Sequence, residues 1–170
     1  IAGITVPPTP DERAGWLAAR HANTPAQVHL DSLGREVTAI AHNRVEDAAG
    51  AHTFDGRQWK DEFYLTFTKL DAEGKPLWIR DARGNLVMQY IAPAKVNNDA
   101  SNAMPANAVP CYDIAGNLLF QHSMDSGDRW MLMDAAGKPM LAWDENNRGD
   151  GTPIQKRLYL MDKDSSLRSV

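Results

Sequence analysis

Cysteine is nearly absent. Cys111 stands alone among 170 residues, which excludes an internal disulfide and a cysteine-rich metal site. Long apolar runs are also missing. The longest uncharged stretch, 100–112, is rich in Pro, Asn and Ala and is far too short and polar to span a bilayer. Positive charge is not in excess: the net charge is -4 and the pI near 5.7. That argues against non-specific nucleic-acid binding, which needs a basic face to displace counterions. The opening Ile1-Ala2-Gly3-Ile4-Thr5 has neither a methionine nor a basic n-region, so no signal peptide is expected there and the chain is expected to be excised from a longer polypeptide. Catalytic signatures are missing too. No Gly-x-Ser-x-Gly elbow, phosphate-binding glycine loop or dinucleotide fingerprint occurs.

What is present reads as an ordinary globular chain, 43% hydrophobic and 24% charged. Thr9-Pro10-Asp11-Glu12 predicts a helix start, with a capping threonine, a proline at the first helical position and a glutamate three residues after the cap. Trp16, Leu17 and Arg20 follow at helical spacing, and Asn23-Thr24-Pro25 ends the run. The expected organisation is an N-terminal extension with one short helix over 1–24, then β-structure over 25–170.

From Val28 onward short apolar runs alternate with one recurring turn. Asp31-Ser32-Leu33-Gly34-Arg35 returns as Asp71-Ala72-Glu73-Gly74-Lys75, Asp81-Ala82-Arg83-Gly84-Asn85, Asp113-Ile114-Ala115-Gly116-Asn117 and Asp134-Ala135-Ala136-Gly137-Lys138. Asp47-Ala48-Ala49-Gly50 is a sixth Asp-x-x-Gly without the basic residue or Asn after it. Chance would give roughly one such match at this composition. The aspartate side chain can accept bonds from backbone amides just ahead of it. The glycine can turn left-handed and close a bulged hairpin. Val37, Leu77, Val87, Leu119 and Met140 lie three residues after the glycines, and Leu30, Leu70, Arg80, Tyr112 and Met133 just before the aspartates. Apolar residues on both sides of a turn predict paired strands with a shared buried face. Successive aspartates are 40, 10, 32 and 21 residues apart. Insertions at about 42–61 and 93–110 fill the long gaps and read as surface loops. A further hairpin is expected at Asp125-Ser126-Gly127, and a last strand at Arg157–Met161, with Asp162 opening a degenerate repeat.

These units resemble the Tyr-Asp repeats of the Rhs family. Tyr112-Asp113-Ile114-Ala115-Gly116-Asn117 is the nearest match, and His29-Leu30-Asp31-Ser32-Leu33-Gly34-Arg35 carries leucine in the tyrosine position. Longer strings are similar to the SpvB- and TcB-like proteins of insecticidal toxin complexes. They are Asp81-Ala82-Arg83-Gly84-Asn85-Leu86-Val87-Met88-Gln89-Tyr90, Ser123-Met124-Asp125-Ser126-Gly127-Asp128-Arg129-Trp130, and Gly137-Lys138-Pro139 with Ala142-Trp143-Asp144. The resemblance covers roughly Trp16 to Ser169. It implies a curved antiparallel sheet cut from a bacterial, secreted or cell-surface shell that encloses a toxin segment. The implied partners are the rest of that shell, or a partner toxin-complex subunit, and the enclosed cargo. Most repeats here lack the tyrosine, and the self-cleaving block that ends such shells is not visible, which implies an upstream or middle section.

Sharper chemical readings are weaker. Asp144-Glu145-Asn146-Asn147-Arg148-Gly149-Asp150-Gly151 superficially resembles a calcium loop, but Arg148 occupies a ligand position and no glutamate closes it. His21, His29, His42, His52 and His122 show no zinc spacing. Cys111 reads as a small buried hydrophobe rather than a nucleophile. Arg148-Gly149-Asp150 is too short a match to carry adhesion. Trp59, Trp78, Trp130 and Trp143, with Tyr64, Tyr90 and Tyr159, could stack on sugar rings, although strand aromatics more often pack. Trp78, Trp130 and Trp143 are the candidate binding aromatics. The sequence therefore predicts an all-β, non-enzymatic chain without cofactor, metal, nucleic-acid partner or membrane span. It should self-associate in isolation through exposed sheet edges. The alternative is a surface module that binds carbohydrate or protein.

Overall fold

A computed structural model describes residues 9–54, 56–146, 155–161 and 167–169. They form mostly antiparallel sheet with one short helix, and they divide into two compact units between Thr66 and Phe67. Helix α1 spans Pro10–Arg20. Its start is set as the sequence dictates: the Thr9 hydroxyl accepts from Glu12 N, Pro10 has no N–H that would need an acceptor, and Asp11 and Glu12 sit at the positive end of the helix dipole.

The first unit then carries β1 (Gln27–Leu30), β2 (Glu36–Glu46), β3 (His52–Phe54) and most of β4 (Arg57–Leu70), in the order β1-β2-β4 with β3 also pairing β4. It has almost no interior. Trp59 is the one buried side chain among those of 9–66 whose burial is described, and all four residues of β1 are exposed. The expected surface loop at 42–61 is instead strand for most of its length. Gly56, at φ 72°, turns the chain from β3 into β4, and the scattered charges pair across strands, Arg57 Nη1 with Glu46 Oε2 at 2.7 Å and Arg44 Nε with Asp61 Oδ1 at 2.8 Å.

The second unit takes over within β4 and adds β5 (Pro76–Arg80), β6 (Leu86–Gln89), β9 (Phe120–Ser123), β10 (Gly127–Met133), β11 (Pro139–Asn146), β12 (Gln155–Met161) and β13 (Leu167–Ser169), neighbours in that order. The expected hairpin at 125–127 joins β9 to β10, and the expected last strand is β12. Between β6 and β9 a short separate ribbon, β7 (Ile91–Ala92) with β8 (Val109–Pro110), ties the ends of the segment 93–108.

That segment is not a simple surface loop. It places Lys95, Met104 and Ala108 against Leu77, Trp78, Leu86 and Ile91, which form the core of this unit. Leu77 and Trp78 are adjacent on one strand and so point to opposite faces. Both are buried, so β5 is covered on both sides. Two further residues secure the segment. Buried Gln89 accepts from Lys95 N and donates to Lys95 O, and Arg80 donates to Asp99 O and, at 2.8 Å, to Gly84 O. Arg80 was the one polar flank among the five residues preceding a repeat aspartate. Its reach across to Asp99 is the reason.

The glycines at positions 34, 74, 84, 116 and 137 all have φ between 75 and 92°, a region that penalises a β-carbon. At Gly84 a β-carbon would meet nothing within 4 Å, and at Gly116 only Lys75 Cε at 3.7 Å. Gly84→Ala and Gly116→Ala should therefore each cost about 1 kcal/mol from backbone strain alone. Urea unfolding of the full chain measures this, and two variants as stable as the parent would remove the left-handed turn from the account.

Candidate functional site

The repeated turn is the most regular chemical feature of the chain. In all five copies the aspartate amide donates to the carbonyl of the residue after the glycine, at 2.8 to 3.0 Å, and the glycine amide donates back to the aspartate carbonyl, at 3.0 to 3.2 Å. The aspartate Oδ1 also accepts two amides, from the second and fourth residues after it, for example Arg83 N at 2.9 Å and Asn85 N at 2.8 Å onto Asp81. Asp31, Asp71, Asp113 and Asp134 repeat this pair of bonds.

In three of the five copies the side chain after the glycine closes back on the aspartate. Arg35 Nε reaches Asp31 Oδ2 at 2.6 Å, and the amides of Asn85 and Asn117 reach Oδ2 of Asp81 and Asp113 at 3.0 and 2.8 Å. Both carboxylate oxygens are then occupied within one five-residue turn. The carboxyls of Asp31, Asp81 and Asp113 are held below the ordinary carboxylate value, the first chiefly by the Arg35 amide and the others chiefly by the Asn side chains. These aspartates fasten turns.

Not every turn makes a full hairpin. Those at Asp31, Asp71, Asp81 and Asp134 join paired strands with a register shift at the bulge, whereas Asp113–Gly116 closes a single bridge, Tyr112 to Leu118. The shared buried face is also uneven: Leu77 is buried, but Leu30 and Met140 are more than half exposed, at 57% and 51%. Asp47–Gly50 makes only part of this turn: Gly50 N donates to Asp47 O at 2.9 Å, but the Asp47 amide donates across to Gln58 O and Gly50 has no positive φ. It is there because the Trp59 backbone lies against it.

The candidate aromatics separate. Trp78 has no accessible surface and carries the Lys95 ammonium 4.3 Å from its ring centroid, so it is a core residue. Trp59 is likewise buried. Trp130 and Trp143 are half-buried register partners on β10 and β11, with nearly parallel rings 6.1 Å apart. Phe120, the register partner of Trp130 on β9, sits 4.4 Å from it on the other side. Half-buried Tyr90 and Tyr112 lie 6.4 Å apart, and the Tyr112 hydroxyl donates to Pro76 O. Burial raises both phenols above their ordinary value. Tyr112 also lines an open cleft of about 510 Å³ with Asp71, Glu73, Lys75, Pro110 and Asp113.

Two polar constellations were not visible in the sequence. Lys95 is fully buried at its side chain and donates to Ser101 O at 2.6 Å and Ala103 O at 2.9 Å, with Asp99 Oδ2 at 3.2 Å. In the first unit His52 Nε2 and Arg44 Nε each lie 2.8 Å from Asp61, on different oxygens, and His42 Nε2 lies 3.3 Å away. His122, on β9, pairs with Asp128 at 2.7 Å. Among the described residues no group of three or more His, Cys, Asp or Glu side chains could hold a metal ion. Cys111 is buried, and burial pushes its thiol up. No helix among the described residues is long and apolar enough to cross a membrane. Most of the calcium-like loop, the Arg-Gly-Asp tripeptide and Asp162 lie outside the described residues. No protein-family model matches the chain, and no curated protein matches it.

Proposed function

We propose that this chain is a non-enzymatic wall segment of a large secreted or cell-surface repeat protein of the Rhs toxin-complex type, helping to enclose a toxin polypeptide. The observation that carries the proposal is the combination of one self-fastening turn repeated five times with an antiparallel sheet whose first unit encloses little of its own. In the first unit Trp59 alone is buried among the described side chains. A wall needs strands and corners rather than a private core, because neighbouring wall or cargo supplies the missing contacts. Its partners on this reading are the adjoining shell and the enclosed segment.

The test is the size of the native polypeptide, by immunoblot of the source cells with an antibody to this segment. A band several times heavier than 18.8 kDa is the expected result. A single band at 18.8 kDa would sink the wall reading and bring forward the alternative, a surface module for carbohydrate or protein. The half-buried Trp130–Trp143 pair favours that alternative, since indoles left partly open on a sheet can stack on sugar rings. Oligosaccharide titration followed by indole fluorescence, with Trp143→Ala as the control, separates a binding face from a wall.

A further inference from the structure

Asp61 projects from β4 into a cluster drawn from three strands. Arg44 of β2 donates from Nε to its Oδ1 at 2.8 Å, and His52 of β3 places Nε2 2.8 Å from its Oδ2. His42 of β2 has Nε2 at 3.3 Å from Oδ1, in a geometry that makes no hydrogen bond, and its ring stacks on Phe63 at 4.5 Å. The remaining charges are satisfied separately: Glu46 of β2 pairs with Arg57 of β4, and Lys60 and Glu62 alternate with Asp61 onto the opposite face and lie 4.0 Å from each other.

We propose that the His52–Asp61 contact is an acid-tightened clasp that fastens the β3 arm to the sheet of the first unit. An uncharged imidazole at position 52 can already donate a hydrogen bond from Nε2. A second proton keeps that bond and adds a full positive charge 2.8 Å from an anion. His52 is half exposed, so solvent can supply the proton. His42 is the weaker member, because it is nine-tenths buried and shares its carboxylate oxygen with the Arg44 guanidinium. A charge on His42 meets a cation and an anion together, whereas His52 meets the oxygen that Arg44 leaves open. Coulomb attraction falls with distance, so the proton is felt mainly at His52.

The sign follows from the states involved. Protonation of the imidazole adds the charge, so the contribution appears as pH falls. It persists while Asp61 stays ionised, and the Arg44 bond above all holds that carboxyl down to about 2. The clasp therefore tightens across a wide acid window. Because His52 is half exposed, the effect is that of a screened ion pair, a two- to fivefold change in opening.

Hydrogen exchange of the full chain at pH 7.5 and 5.5, corrected for intrinsic rates, reads this directly. The amides of the His52–Trp59 ladder and the Asp47 N to Gln58 O bond should become two- to fivefold better protected at pH 5.5. The ladder that pairs Thr68 with Ile79 and Lys69 with Trp78, which holds no histidine, serves as the internal control and should not change. His52→Gln keeps a neutral donor and should abolish the gain, as should Asp61→Asn. Equal protection at both pH values in the parent, or an undiminished gain in His52→Gln, overturns the clasp.

Discussion

Lys95→Ala should destabilise the chain by about 3 kcal/mol, an unusually large effect for removal of a lysine. Most lysines lose only a solvated charge. This one has no side-chain exposure, lies on the face of Trp78 and is the donor to two backbone carbonyls. The ion pair is the smaller part of the effect. Asp99 is about one-third exposed, keeps the Ser101 amide at 2.8 Å and can return to water. Loss of Lys95 deprives the Ser101 and Ala103 carbonyls of a donor and leaves a cavity over the indole. Lys95→Met, which keeps the stem, should lose about 2 kcal/mol through the carbonyls alone. Urea unfolding gives both values, and limited proteolysis should cut first within 93–108. A loss below about 1 kcal/mol for the alanine variant would mean that this segment is held by something else.

Gly50→Ala should be comparably severe, at about 3 kcal/mol, for a reason unrelated to conformation. A β-carbon there would collide with the Trp59 carbonyl oxygen and carbon and lie 2.6 Å from its nitrogen. All three are backbone atoms of β4, where the His52–Trp59 pairing fixes their position. No side chain can swing away, so the β3 arm must detach. The same substitution at Gly84 strains only its own φ, and the contrast of about threefold between the two is the sharper readout. A Gly50→Ala variant unfolding within 0.5 kcal/mol of the parent would show that the two segments do not approach as closely as described.

The contrast also marks what a sequence discloses. The five turns were legible because their chemistry is local: the aspartate, the glycine and the residue after it all bond within five positions. The helix start at Thr9 was legible for the same reason. The strands of 42–61 were not, because charge and two glycines usually signal a loop, and here the charges pair between strands. Lys95 gave no sign of burial, since nothing near it in the chain announces Trp78 or the carbonyls it satisfies. His42, His52 and Asp61 lie about ten residues apart and meet only through strand pairing, so spacing rules for zinc passed over them. Trp78 is an aromatic on a strand like Trp130 and Trp143, and only the segment folded over it makes it core.

The self-contained turn also bears on how such a chain can grow. Because the carboxylate of Asp81 or Asp113 finds its partners inside its own five residues, a new copy asks nothing of the strands beside it. Duplication of one hairpin can lengthen the array without any other position having to change. Intervals of 10 to 40 residues between copies record that freedom, and so do flanks that vary from Leu30 to Arg80 to Tyr112. Selection can then rewrite the strands one at a time while the corners stay as they are.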